Sequence, residues 1–179
     1  MQLALNEQER RALKDLAERS IRSRFDPQQH LPEAPSEQMQ ENLGAFVTLK
    51  QAGHLRGCIG HVIGDRPLWQ TIADMAQAAA FDDPRFPSLQ EGEIKDLEIE
   101  ISVLGPLEPV TDPEGVEPGR HGLLVQRSVH SGLLLPQVAT EQGWDRETFL
   151  GQTCVKAGLP PTAWKSKKTQ VYRFEAEVF

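Results

Sequence analysis

Leu97-Glu98-Ile99-Glu100-Ile101-Ser102-Val103-Leu104 alternates apolar and polar residues from end to end. On an extended chain Leu97, Ile99, Ile101 and Val103 fall on one face, and Glu98, Glu100 and Ser102 on the other. One apolar and one polar face suit an antiparallel sheet covered on a single side. Parallel strands, buried on both faces, read as continuous apolar runs instead. The pattern predicts a strand over residues 94–104.

The neighbouring sequence supports that reading. Gly44-Ala45-Phe46-Val47-Thr48-Leu49-Lys50 reads as a strand, Gln51-Ala52-Gly53-His54 as a turn, and Leu55-Arg56-Gly57-Cys58-Ile59-Gly60 as the return strand of a hairpin. After a loop at 61–67, Leu68, Ile72, Met75, Ala76 and Ala79 recur at helical spacing, for a helix of about four turns. Phe81-Asp82-Asp83-Pro84-Arg85-Phe86-Pro87 breaks it. At the front, Asn6 and Glu9 make a capping-box pattern, and Leu13, Leu16, Ala17 and Ile21 carry a helix to near Phe25. Pro27, Pro32 and Pro35 punctuate a polar loop at 26–40. Downstream, residues 105–120 read as a long loop, and 122–126 and 131–135 as a second hairpin. A helix capped by Asp145 stops near Gly158, and a last strand runs over 170–178. The order helix, hairpin, helix, strand, hairpin, helix, strand has no βαβ alternation. It predicts an α+β fold, an antiparallel or mixed sheet flanked by helices.

The chain has 179 residues, which suits one domain, or one domain with a small lobe. Its net charge of −7 makes it a poor default binder of nucleic acid. The one basic run, Lys165-Ser166-Lys167-Lys168, reads as a solvated loop. No apolar run approaches a membrane span, and the N-terminal residues lack a secretory pattern, so a cytoplasmic protein without membrane contact is expected. Two cysteines far apart, Cys58 and Cys154, favour a reducing compartment.

Chemistry concentrates at 55–60. By strand parity Arg56 and Cys58 share a face, about 6.5 to 7 Å apart. A guanidinium at that range can stabilise a thiolate, which is the nucleophilic form of cysteine. Gly57 and Gly60 mark a bulge, or a close approach by a ligand or by another backbone. The competing reading is a small buried cysteine in a hairpin core. Glu98 and Glu100 on one strand face repel, which suits general acid–base work, although a solvated face is the default. Asp83 and Arg85 flank Pro84 and are placed either to clamp their loop or to hold a substrate. His121, just before an apolar stretch, is a candidate base if the fold brings it to Cys58. His54, Cys58 and His61 lack zinc spacing, and no phosphate loop or dinucleotide fingerprint occurs, so neither metal nor cofactor is expected.

Leu-Arg-Gly-Cys-Ile-Gly following a Gly-Ala-Phe-Val-Thr-Leu strand resembles the AMMECR family (the AmmeMemoRadiSam system protein A type). The resemblance continues through Asp83-Pro84-Arg85-Phe86, the 97–104 strand, Gly119-Arg120-His121-Gly122, Leu134-Leu135-Pro136-Gln137-Val138-Ala139, and the 144–158 helix with Cys154 and Lys156. It is strongest over 40–160 and treats residues 1–179 as one AMMECR-like domain. It implies an α+β fold with a larger and a smaller lobe and a cleft between them. It also implies genetic association with a Memo-like protein and a radical SAM protein. Carried onto this chain, it suggests a small-molecule enzyme or enzyme subunit. Cys58, His121 and Glu100 would be catalytic, and Arg56, Gly57, Gly60, Asp83 and Arg85 would hold substrate. The alternatives are an adaptor that binds those partners and a purely structural Cys58.

Overall fold

The computed structural model describes residues 4–34 and 36–179; Pro35 of the proline-punctuated loop, and Met1, Gln2 and Leu3 of the N-terminal reading, lie outside them. The chain forms two compact units, a larger one of Met1–Leu104 with Glu177–Phe179 and a smaller one of Gly105–Ala176.

In the larger unit, α1 (Glu7–Arg22) starts with the capping box that its sequence announces: Asn6 accepts from the Glu9 N–H, and the Glu9 carboxylate accepts from the Asn6 N–H. Strands β1 (Ala45–Gln51) and β2 (His54–His61) form the hairpin, turning through Ala52 and Gly53, both at positive φ. Strand β3 (Leu97–Leu104) pairs antiparallel with the other side of β1. Helix α2 (Leu68–Phe81) and α1 pack on one face of this sheet. Leu13, Leu16 and Ile21 of α1, Ile72, Ala76 and Ala79 of α2, and Val47, Leu49, Ile101 and Val103 of the strands share one buried core. Each large aliphatic side chain so buried contributes about 1.5–3 kcal/mol.

Strand β3 begins later than its pattern suggests. Residues Glu91–Asp96 form a 3₁₀ turn closed by a reciprocal Gln90–Glu93 cap, and Ile94 reaches the core from this turn. Periodicity does not separate a buried residue at the end of a turn from the first residue of a strand.

In the smaller unit, β5 (His121–Arg127) pairs antiparallel with β6 (His130–Leu134) and with β7 (Gln170–Val178). The expected loop at 105–120 contains a two-residue strand, β4 (Glu108–Pro109), paired with β7, and a 3₁₀ turn at Pro113–Gly115. Helix α3 (Pro136–Gln142) was not predicted. Seven residues are too few to show a period, although Pro136 in the first turn and Gly143 at φ 65 mark its ends. Helix α4 (Arg146–Lys156) is capped by Asp145 as expected, and buries Phe149, Leu150 and Cys154. The class is α+β, with antiparallel strands flanked by helices. No described helix is long and apolar enough to cross a membrane.

Candidate functional site

The register of the first hairpin decides where Cys58 points. Gln51 pairs with His54 and Lys50 with Leu55, but Leu49 pairs with Gly57 and Thr48 with Cys58. One extra residue, Arg56, is therefore inserted in β2. An unbroken ladder counted from the turn would set Cys58 against Val47, which is fully buried under the helices. The bulge moves Cys58 to the face of Thr48, away from that core. Bulges commonly re-aim side chains in this way.

The same bulge removes Arg56 from the role expected of it. Its Nε and Nη2 donate to the two carboxylate oxygens of Glu93 at 3.0 and 3.1 Å, and the residue is only 9% exposed. The Arg56 guanidinium, with a further Gln90 N–H, holds the Glu93 carboxyl below its ordinary range. Arg56 is thus a buried clamp between β2 and the 3₁₀ turn.

The cation near Cys58 is Arg85. Strand β2 is the outer strand of its sheet, so Cys58 presents its N–H and C=O along an open edge. The N–H donates to Asp83 Oδ2 at 2.9 Å, and Arg85 Nη2 donates to the C=O at 3.4 Å. Asp83 is 4% exposed and also accepts from the backbone N–H, Nε and Nη2 of Arg85 at 3.0, 3.0 and 2.8 Å. These donors, Arg85 foremost, hold the Asp83 carboxyl far below the usual carboxylate range against the opposing effect of burial. The Arg85 guanidinium is raised in turn, first by Asp83, with a smaller contribution from charge on Cys58. Asp83 and Arg85 together stand where a further strand would pair with β2.

The half-buried Cys58 thiol lies 3.2 Å from Thr48 Oγ1. Thr48 faces Cys58 on β2 and Glu100 on β3, so Cys58, Thr48 and Glu100 form a row across three strands on the face opposite the helices. Lys50 Nζ pairs with Glu100 at 3.0 Å, which offsets the repulsion expected between Glu98 and Glu100. Glu98, Glu100 and Lys50 line an open groove of about 650 Å³ with Lys14, Asp15 and Phe179. The Ser102 hydroxyl on the same strand face is buried without a hydrogen-bond partner.

The two glycines are spent on packing. A Cβ at Gly57 would meet the Ala79 carbonyl oxygen of α2 at 2.0 Å, and one at Gly60 would meet the Phe46 ring at 2.3 Å. The close approach is made by the protein itself. His121, the first residue of β5, is 5% exposed, and its Nδ1 accepts from the Glu117 N–H at 2.9 Å. Burial, followed by Arg173 and Arg120, pushes its pKa down. Glu117, Arg173 and Arg120 all belong to the smaller unit. Cys154 is fully buried, and burial pushes its thiol pKa up. Among the described residues, no group of three or more His, Cys, Asp or Glu is placed to hold a metal.

Thr48, Lys50 and Glu93 escaped the sequence reading. Hairpin counting pairs Thr48 with Gly57 unless the bulge is known, although glycine within a strand is the available sign of one.

The sequence model of the AMMECR1 family matches residues 14–179. A protein of Thermococcus onnurineus is 48% identical over 158 residues, covering 83% of this chain and 77% of its own. One from Methanothermobacter thermautotrophicus is 45% identical over 155 residues, covering 83% and 81%. The crystal structure of the uncharacterized protein PH0010 from Pyrococcus horikoshii superposes with a TM-score of 0.89 at 39% identity, covering 97% of this chain and 92% of that one.

Proposed function

The chain belongs to the AMMECR1 family, and on that premise we propose that it is a cytoplasmic enzyme or enzyme subunit acting on a small carbonyl compound through Cys58. The observation that carries this reading is the Cys58 thiol, turned out of the core by a bulge and set beside Thr48, with its strand edge held by Asp83 and Arg85. In the proposed step the Sγ–H bond breaks. Its proton passes to the Thr48 oxygen as the Thr48 hydroxyl proton passes to Glu100, a cross-strand neighbour at about 4.5–5.5 Å between Cβ atoms. The sulfur electron pair bonds the carbonyl carbon, and the displaced π pair goes to the carbonyl oxygen, whose negative charge Arg85 stabilises. Asp83 positions both Cys58 and Arg85. His121 holds its own loop. The substrate belongs to the pathway of the Memo-like and radical SAM proteins that the family resemblance implies.

Alkylation by iodoacetamide tests this, with Cys154 as internal control. Native Cys58, half-buried on the strand edge, is expected to be alkylated readily, while the buried Cys154 stays unlabelled. Arg85→Ala should slow labelling several-fold, and Cys58→Ser should fold but fail to complement a deletion strain. A Cys58 inert until denaturation, or full complementation by Cys58→Ser, overturns the proposal. Retention of a Memo-like or radical SAM partner by a Cys58→Ser variant that complements fully favours the adaptor reading instead.

A further inference from the structure

The basic run near the C-terminus is solvated, as its sequence suggests, and Lys167 and Lys168 line a groove with the β5–β6 hairpin tip. Strand β5 pairs Gln126 with Gln170 of β7 and Arg127 with His130 of β6, so the β5–β6 hairpin tip and the start of β7 lie at one end of the same sheet. The tip is tight, with Ser128 at φ 56, and sets Arg127 and His130 opposite each other. The segment before β7 is fixed by hydrogen bonds from the Lys168 N–H to Ser166 Oγ and from the Thr169 N–H to the Ser166 carbonyl. A groove of about 380 Å³ results, lined by Arg127, His130, Lys167 and Lys168 with the hydroxyls of Ser128 and Ser131.

The charge of this groove is anomalous for the molecule. The protein carries 26 Asp and Glu against 19 Lys and Arg, yet no carboxylate lines the groove. Arg127, Lys167 and Lys168 form no ion pair with a described residue, whereas Lys165, just outside the groove, is paired with Glu147. Three permanent cations converging without a counter-charge repel one another and lower the local cost of bringing in an anion. Lysine ammonium groups, a guanidinium fork and serine hydroxyls are the donors that phosphate oxygens take. The volume lies at the small end of ligand sites and admits a phosphate-bearing head group.

We propose that this groove is a binding site for a phosphate-bearing anion, independent of the Cys58 chemistry. Both a soluble phosphate ester and a lipid phosphate headgroup present that chemistry. Titration calorimetry of the full chain with inorganic pyrophosphate at low salt tests the soluble source. Flotation with phosphatidylcholine vesicles containing phosphatidylinositol phosphate tests the other. Binding to one probe or both is expected. It should fall about tenfold or more in Lys167→Ala/Lys168→Ala, since each lost charge-assisted contact is large on the affinity scale, and should persist in the exposed control Lys95→Ala. Circular dichroism confirms that the surface variants remain folded. The inference is overturned if neither probe binds, if Lys95→Ala weakens binding as much as the double variant, or if a single-stranded oligonucleotide competes at far lower concentration than pyrophosphate.

Discussion

Removing the Asp83 carboxylate should unfasten the strand edge that carries Cys58, at a cost that can be worked from its contacts. Asp83 accepts from the Cys58 N–H, the Arg85 N–H and two guanidinium nitrogens at 2.8–3.0 Å. The Cys58 N–H on the outer edge of β2 donates to Asp83, so Asp83→Ala removes its acceptor at about 1–3 kcal/mol. The Arg85 side chain is 55% exposed, so water replaces much of what it loses, and the ion pair itself adds only about 0–1 kcal/mol. The sum is about 1–4 kcal/mol. Urea unfolding followed by tryptophan fluorescence measures it, with Trp69, whose indole N–H donates to the Pro32 carbonyl, reporting on the larger unit. The effect has a pH signature. The folded-state pKa of Asp83 is depressed, so its contribution is fully present above the unfolded carboxylate value of about 3.9 and is lost as pH falls toward the lower folded value. Asp83→Ala should therefore flatten the loss of stability below about pH 4 as well as lower stability at neutrality. A variant within about 0.5 kcal/mol of the parent at pH 7, or one with an unchanged acid limb, refutes the reasoning.

Other substitutions separate the neighbouring roles. Glu93→Ala strands the buried Arg56 guanidinium and should destabilise by about 3 kcal/mol, while the alkylation rate of Cys58 stays within about twofold, since Arg56 does not serve the thiol. Gly57→Ala drives a methyl group against the Ala79 carbonyl at 2.0 Å, and should cost about 2 kcal/mol or more in urea midpoint analysis, because backbone on both sides resists the shift. Asn6→Ala opens the α1 capping box and should cost about 1 kcal/mol in thermal unfolding without touching Cys58 reactivity.

Elements whose identity rests on local period were legible from sequence: α1 with its cap, the alternating β3, the amphipathic α2 and the Asp145-capped α4. Helix α3 and β4 were not, because seven and two residues carry too little period to read. The site shows a different limit. Its residue types were visible in Leu55-Arg56-Gly57-Cys58 and Asp83-Pro84-Arg85, and the pairing of Asp83 with Arg85 was among the readings weighed. The partnership of Cys58 with Arg56 failed because strand parity assumes an unbroken ladder, and a single inserted residue reverses every face on one side of it. The bulge that invalidates Arg56 also creates the site, since without it Cys58 would face Val47 in the core, and neither Thr48 nor Glu100 would share its side of the sheet. Arg85 reaches the Cys58 carbonyl from 27 positions away, across a helix and a turn. Only the folded edge of β2 brings that cation to the backbone of that cysteine. A catalytic reading of Cys58 therefore stands or falls on Arg85, and the contrast between Arg85→Ala and Glu93→Ala in one labelling experiment decides it.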